Sequence, residues 1–195
     1  MALAPGLIAD IALSPPMPEG RARAAAALRL TPVLKCAAAY DAPFWRRRGL
    51  SGEVYQTRGA IRAVVDHSAP DGGQPALLIF VVGDAARALS ARPDDERRAI
   101  VLDELAALLG DDAAHPVAWA AKDWLSDRWS PGCVAITAAG RPVPTPAILA
   151  QPLGRVHLAG TETARRWPNY MDGAIEAGER AAAEILDRLA HRPQS

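Results

Sequence analysis

With 195 residues, zero formal net charge and half of its residues hydrophobic, the chain is long enough for one domain and part of another. The balanced charge sets aside a nucleic-acid-binding role that works through a broad basic face. No apolar run approaches the roughly 20 residues of a membrane-spanning helix, the opening MALAPGLIADIALSPPMPEG has no basic region ahead of an apolar stretch, and Cys36 and Cys133 are too few for a disulfide framework, so a cytoplasmic protein without membrane or nucleic-acid partners is expected.

Residues 1–32 are broken by Pro15, Pro16 and Pro18, which forbid a continuous helix there, and residues 21–30 are predicted as a short one. Residues 33–40, VLKCAAAY, predict a strand. Alternation leaves open which face Lys35, one of two lysines in the chain, occupies. Phe44 and Trp45 are expected to pack, and Arg46, Arg47 and Arg48 to form a solvated face. Residues 51–56, 60–66 and 75–82 read as strands punctuated by Gly59, Asp71-Gly72-Gly73 and Pro75. The run ALLIFVV at 76–82 is apolar throughout, which predicts a central strand buried on both faces.

At Asp84 the period becomes helical, over 84–90 and again over 93–109. There Ile100, Val101, Leu105, Leu108 and Leu109 form a stripe, with Pro93 in the first turn and Gly110 at the stop. Residues 116–122 read as a further strand, and 138–152, AAGRPVPTPAILAQP, as a long irregular loop. His67, His115, His157 and His191 show no metal-ligand spacing with each other or with the cysteines, so no metal is expected.

Residues 156–160, VHLAG, predict a short buried strand that ends in small residues and delivers backbone to a ligand. A polar turn, Thr161-Glu162-Thr163, and a loop with Trp167, Pro168 and Tyr170 lead into a helix. In it Gly173, Ala174, Ala177, Gly178 and Ala181 recur at three- and four-residue spacing, so one side can approach a backbone or a flat ring closely. Each glycine costs a helix roughly 1 kcal/mol against alanine, which asks for a packing or ligand reason. A helix start offers free N–H groups and about half a positive charge, suited to a ring that becomes anionic on reduction. An alanine-rich helix packed on a strand would account for the small face, but not for Gly-Thr-Glu-Thr followed by Tyr-Met-Asp-Gly.

The strings LAGTETA, W-x-x-Y-M-D-G-A and E-A-G-E-R-A-A, in that order, resemble the C-terminal flavin-binding segment of the FAD-dependent monoamine oxidases. Two further patterns extend the resemblance over nearly the whole chain: K-C-x-x-x-Y-x-x-P-F-W-R from Lys35, and W-x-x-x-x-W-S-x-G-C from Trp124. It implies an α+β fold, with residues 1–150 as a mixed-sheet substrate-binding domain covered by helices and making flavin-ring contacts. Residues 151–195 would be the C-terminal strand and helix of an incomplete, Rossmann-like FAD-binding domain.

By the same resemblance, Lys35 and Tyr170 are the catalytic candidates, the first holding a water against the reactive edge of the flavin and the second forming one wall of an aromatic substrate cage. Trp124, Cys133, Gly160, Thr161, Glu162, Tyr170, Met171 and Ala174 are the cofactor-binding candidates. Cys133 falls where covalent members join a cysteine sulfur to the flavin. The reading of Cys133 as a small buried thiol beside a turn stays open. Val134 departs from those members, which carry there a tyrosine that forms the other cage wall.

No G-x-G-x-x-G follows a predicted strand, so the resemblance covers about the second half of a full-length member. The implied cofactor is FAD and the implied partners are a small amine and an N-terminal FAD-binding half in cis or in trans, with a homodimer left open. The implied activity is oxidation of an amine to an imine with return of the electrons to oxygen as hydrogen peroxide, and the chain is expected to be incomplete alone. The alternatives are a non-catalytic scaffold, one subunit of a split flavoenzyme, or an oxidase of amino acids or polyamines.

Overall fold

The computed structural model describes residues 1–191 apart from Ala9, Gly72 and Ala138, so the expected turn at Gly72 and loop start at Ala138 lie outside the described residues. In chain order, helices α1 (Pro5–Ile8) and α2 (Glu19–Ala27) lead into strands β1 (Leu28–Leu30) and β2 (Val33–Ala39). A short helix α3 (Phe44–Arg47) precedes β3 (Val54–Tyr55), β4 (Ile61–Asp66) and β5 (Ala76–Val82). Then come α4 (Gly83–Ser90), α5 (Asp94–Leu109), β6 (Ala118–Asp123), β7 (Ala135–Thr137), α6 (Pro146–Ala150) and α7 (Met171–Ala190). Among the described residues no helix is long and apolar enough to cross a membrane.

Contacts divide the chain into two compact units, one spanning Thr31–Cys133 and the other combining Met1–Leu30 with the chain from Val134 onward. The sequence reading cut the chain once, at residue 150. The reason for the difference is a long-range ladder, in which Leu28, Arg29 and Leu30 pair antiparallel with Thr137, Ile136 and Ala135. Each partner is only three residues long, and nothing in its local period announces the other.

In the first unit the strands are ordered β3-β4-β5-β2-β6 and every neighbouring pair is antiparallel, so the sheet is antiparallel and not mixed. The chain reverses between β4 and β5, and α4 and α5 return it so that β6 runs against β2. A parallel neighbour would need a crossover to the opposite end of the sheet. Leu34, Cys36 and Ala38 of β2, Leu77, Ile79 and Val81 of β5 and Ile61 and Val64 of β4 form the covered face. They share a core with Ala86 and Leu89 of α4 and Val101, Leu102, Leu105 and Leu109 of α5. Burial pushes the Cys36 thiol up to about 12, against the opposing charge of Arg97, so this cysteine is an inert packing group. The alternate residues of β5 are half-buried. ALLIFVV is therefore central but not equally covered on its two faces, because the helices lie on one.

Tyr40, Phe44 and Trp45 pack edge to face with ring centroids 5.0–5.8 Å apart, and the Tyr40 hydroxyl donates to the Ala113 carbonyl at 2.9 Å. The adjacent arginines are not a purely solvated face. Arg46 donates to Asp66 at 2.8 Å and Arg48 to the Leu109 carbonyl.

Asp66 also accepts from Trp45 Nε1 at 2.9 Å and from the Ser68 N–H at 2.9 Å. Burial would raise its pKa, but the hydrogen bonds from Ser68, Trp45 and Arg46 outweigh that and hold it well below the usual carboxylate range. A carboxyl depressed in the folded state stabilises the fold above its unfolded pKa of about 4 and loses that contribution as pH falls through the folded value. The stability of the chain is therefore expected to drop on acidification below about pH 4, and Asp66→Asn to flatten that limb in a series of urea melts. An unchanged acid limb in Asp66→Asn would remove Asp66 from the account.

In the second unit, Arg21 is 4% exposed and its guanidinium donates to the carbonyls of Leu149 at 2.8 Å and of Gln151. It thereby fastens α2 to α6, a helix that interrupts the loop expected over 138–152. The expected strand at 156–160 does not form. Val156 makes an isolated bridge with Leu153, while the Met1 ammonium donates to the His157 carbonyl at 2.7 Å and the Ala159 N–H to the Met1 carbonyl at 2.8 Å. One residue of neighbouring chain supplies too few bonds for a ladder. On α7 the buried stripe is Gly173, Ala177 and Ala181, at i, i+4 and i+8. Ala174 is exposed and Gly178 half-buried, each turned by 100° from that stripe.

Candidate functional site

The start of α7 is held by side chains from both flanks. Thr161, in a 3-10 turn over Thr161–Thr163, donates its hydroxyl to the Tyr170 carbonyl at 3.0 Å, and Thr163 donates to the Gly160 carbonyl at 2.7 Å. From the second and third turns of α7, Glu176 accepts the Arg165 and Arg166 N–H groups at 3.1 and 3.0 Å, and Arg180 donates to Thr163 Oγ1 at 3.0 Å and to the Leu158 carbonyl. Glu184 joins Arg180 at 2.6 Å to the buried His157 at 2.8 Å. Burial would raise Glu184, but the hydrogen bonds with His157 and Arg180 outweigh it and hold the carboxyl below its ordinary range.

Two non-glycine residues of the loop adopt left-handed backbone, Trp167 at φ 53° and Asn169 at φ 69°. Asparagine tolerates this region, whereas tryptophan seldom enters it, and such conformations persist where their surroundings over-determine them. Here the Asn169 amide bonds both the N–H and the carbonyl of Ala135 of β7 at 3.3 Å. The result presents Trp167 and Tyr170 edge to face, with centroids 6.0 Å apart. Tyr170 is 65% and Met171 84% exposed. Tyr170 is the N-cap residue and no side chain caps the helix. Among the described residues, no acceptor is found for the Met171, Asp172 and Gly173 N–H groups, so the positive end of a 20-residue helix is left open beside an exposed aromatic pair.

Gly160, Thr161, Glu162, Tyr170, Met171 and Ala174 are thus brought to one end of α7, with Gly160, Thr161 and Glu162 half-buried. Lys35, Trp124 and Cys133 belong to the sheet unit. Register places Lys35 opposite Phe80 of β5 and Lys122 of β6. It lies on the face away from α4 and α5, half-buried, with its ammonium 5.3 Å from the centre of the Phe80 ring. The Trp124 N–H donates to the Val33 carbonyl at 3.0 Å and the Cys133 N–H to the Thr31 carbonyl at 2.9 Å, so both ends of the 124–133 loop are tied to the start of β2. Cys133 is exposed, which corrects the reading of it as a small buried thiol.

That loop is shaped by Asp127, which accepts from Lys122 at 2.8 Å, Trp129 N–H at 3.0 Å and Ser130 N–H at 2.9 Å. The hydrogen bonds from Lys122, Ser130 and Trp129 keep its pKa down at about 2. The amino-acid order gives no role to Asp127 and Asn169, nor to Glu176 and Arg180 within the E-A-G-E-R-A-A string, and all four position loops. The signal available for Asn169 was an asparagine between two aromatics in W-P-N-Y, a residue suited to left-handed backbone.

The description "flavin containing amine oxidoreductase" covers residues 1–186 as a family match. The chain belongs to this family. It is 36% identical over 203 aligned residues to the flavin-containing amine oxidase B of Sus scrofa, a match that takes in 99% of this chain and 38% of the relative. A probable flavin-containing monoamine oxidase A of Dictyostelium discoideum is also 36% identical, over 97% of this chain and 42% of the relative. Among solved structures, a putrescine oxidase bound to putrescine superposes with a TM-score of 0.88 at 32% identity, over 96% of this chain and 42% of that one. The cyclohexylamine oxidase of Brevibacterium oxydans gives 0.89 at 30% identity, over 98% and 43%. The chain therefore spans less than half the length of these relatives.

Proposed function

We propose that this chain is the substrate-binding and C-terminal flavin-contacting portion of an FAD-dependent amine oxidase acting on a small amine. The observation that carries this reading is the open N-terminus of α7, where three free N–H groups and the exposed Tyr170 and Trp167 rings stand beside the half-buried Gly160-Thr161-Glu162 turn. Donors at a positive helix end, with flat aromatic surface and a free thiol in the same chain, suit a planar ring that gains negative charge. When bound, FAD supplies the two-electron acceptance that turns an amine into an imine and the return of those electrons to oxygen as hydrogen peroxide.

The residues of this chain orient and solvate. Tyr170 offers a ring face to the amine, and Val134, where covalent members have tyrosine, leaves the opposite wall aliphatic. Lys35 orders a water on the open face of the sheet, and its aliphatic stem and Phe80 keep that surface apolar. The Met171 and Asp172 N–H groups stabilise developing negative charge, and Thr161 keeps the helix start in place. The putrescine oxidase structure was solved with putrescine, which supports a small amine as substrate.

The test is spectroscopic. Expressed alone, the chain is expected to purify without flavin absorbance, and to acquire it when co-expressed with the N-terminal half of a relative. Stoichiometric yellow protein that releases peroxide from an amine without that half would overturn the incomplete-site reading. Failure to acquire flavin with any such half would favour a non-catalytic scaffold.

A further inference from the structure

The unit built from residues 1–30 and the chain after Cys133 contains a cleft of about 620 Å³, within the range that holds small organic ligands. One wall is a face of α2 on which Gly20, Arg23, Ala24 and Ala27 recur at helical spacing, so the small residues leave the space and the arginine stands at its edge. The other wall is residues 141–145 with Ile148, of which Val143 is 77% exposed. Contacts of the elements that carry the walls hold them in place. Buried Arg21 fastens α2 to the carbonyls of Leu149 and Gln151, Thr145 caps α6 by accepting the Ile148 N–H at 3.4 Å, and Arg29 sits on β1, opposite Ile136 of β7.

The charge in this cleft has one sign. Arg23, Arg29 and Arg141 line it together with apolar Pro142, Val143 and Ile148, and among the described residues no carboxylate lines it. Arg23 is paired with Glu19 on the exposed side of α2. Among the described residues the guanidinium groups of Arg29 and Arg141, which line the cleft, have neither a hydrogen-bond nor an ion-pair partner. A guanidinium offers a planar fork of donors that matches carboxylate, sulfonate and phosphate oxygens, and two such groups beside an aliphatic wall select an anion with an apolar body. An organic cation, the charge state of an amine, is repelled.

We propose that this cleft binds a small organic anion, a carboxylate, sulfonate or phosphate monoester carried on an apolar ring or chain. None of its lining residues is assigned above to flavin or amine, so the proposal stands apart from the proposed oxidase function.

The test is calorimetric titration of the 195-residue chain with 2-naphthoate, 1-naphthyl phosphate and 2-naphthylmethylamine, three probes that share a ring and differ in charge. The anions are expected to bind at least about 10-fold more tightly than the amine, and more weakly at about 0.5 M salt. Arg29→Ala and Arg141→Ala should each weaken the anions by about 5-fold. Val143→Glu, which adds a negative charge on an exposed residue, should abolish anion binding with the circular dichroism spectrum retained. Whichever anion binds more tightly tells a phosphate from a carboxylate preference. Equal affinity for the amine and the anions, anion affinity unchanged in both arginine variants, or no heat from either anion at millimolar concentration would each overturn the proposal.

Discussion

Lys35→Met, in an enzyme reconstituted by supplying a nucleotide-binding half in cis or in trans, is expected to slow amine oxidation or flavin reoxidation by about 100-fold while leaving the bound flavin content nearly unchanged. Lys35 is placed for this by β2, which points it away from the helical core and sets it over Phe80. Its register partner Lys122 is engaged by Asp127, so the second ammonium of the pair is already neutralised. Stopped-flow measurement of reduction and reoxidation separately is the check. Rates within a factor of about two in both half-reactions, the scale of an exposed substitution, would make Lys35 a solvated strand residue. Tyr170→Ala provides the contrast, since loss of an orienting ring should raise the apparent KM and lower kcat/KM in a substrate-dependent way.

Gly173→Ala and Gly178→Ala are expected to change stability in opposite directions, although both replace a glycine of the same helix. A Cβ at Gly173 would fall inside van der Waals contact of the Trp167 carbonyl and within 3.0 Å of Thr161 Oγ1, so backbone has to move. The cost is expected to be about 2–3 kcal/mol, in the range of overpacking a rigid contact, and the 167–170 loop should shift with it. A Cβ at Gly178 meets nothing within 4 Å. There the gain in helix propensity should stabilise by up to about 1 kcal/mol. Urea denaturation followed by far-ultraviolet circular dichroism measures both. Equal effects of the two substitutions would mean that the close approach of Gly173 to the Trp167 loop is not what limits that position. Because Gly173 packs against the backbone of the loop that carries the aromatic pair, its variant should also weaken flavin uptake in the reconstituted enzyme, and Gly178→Ala should not.

The helical period over 84–109, the strands around 33–40, 60–66 and 75–82, and the packing of Phe44 and Trp45 were legible in the amino-acid order, because each depends on how one continuous segment divides its apolar and polar sides. The family was legible for another reason: Gly-Thr-Glu-Thr, Tyr-Met-Asp-Gly and Gly-Glu-Arg stand in order at the spacing of the resembled segment, and several of these residues hold the loop at the start of α7. What local pattern could not supply were choices made by distant segments. The face of Lys35 was decided by α4 and α5, which cover the other side of the sheet. Residues 1–30 went with the C-terminal part because three residues of β1 found three of β7. The expected strand at 156–160 found single backbone partners in Met1 and Leu153 in place of a ladder, and Cys133 emerged exposed because its loop is tied to β2 by backbone and folded around Asp127. A residue's period is a property of its own neighbours in the chain, whereas its face, its ladder partner and its exposure are set by whichever remote surface buries the opposite side.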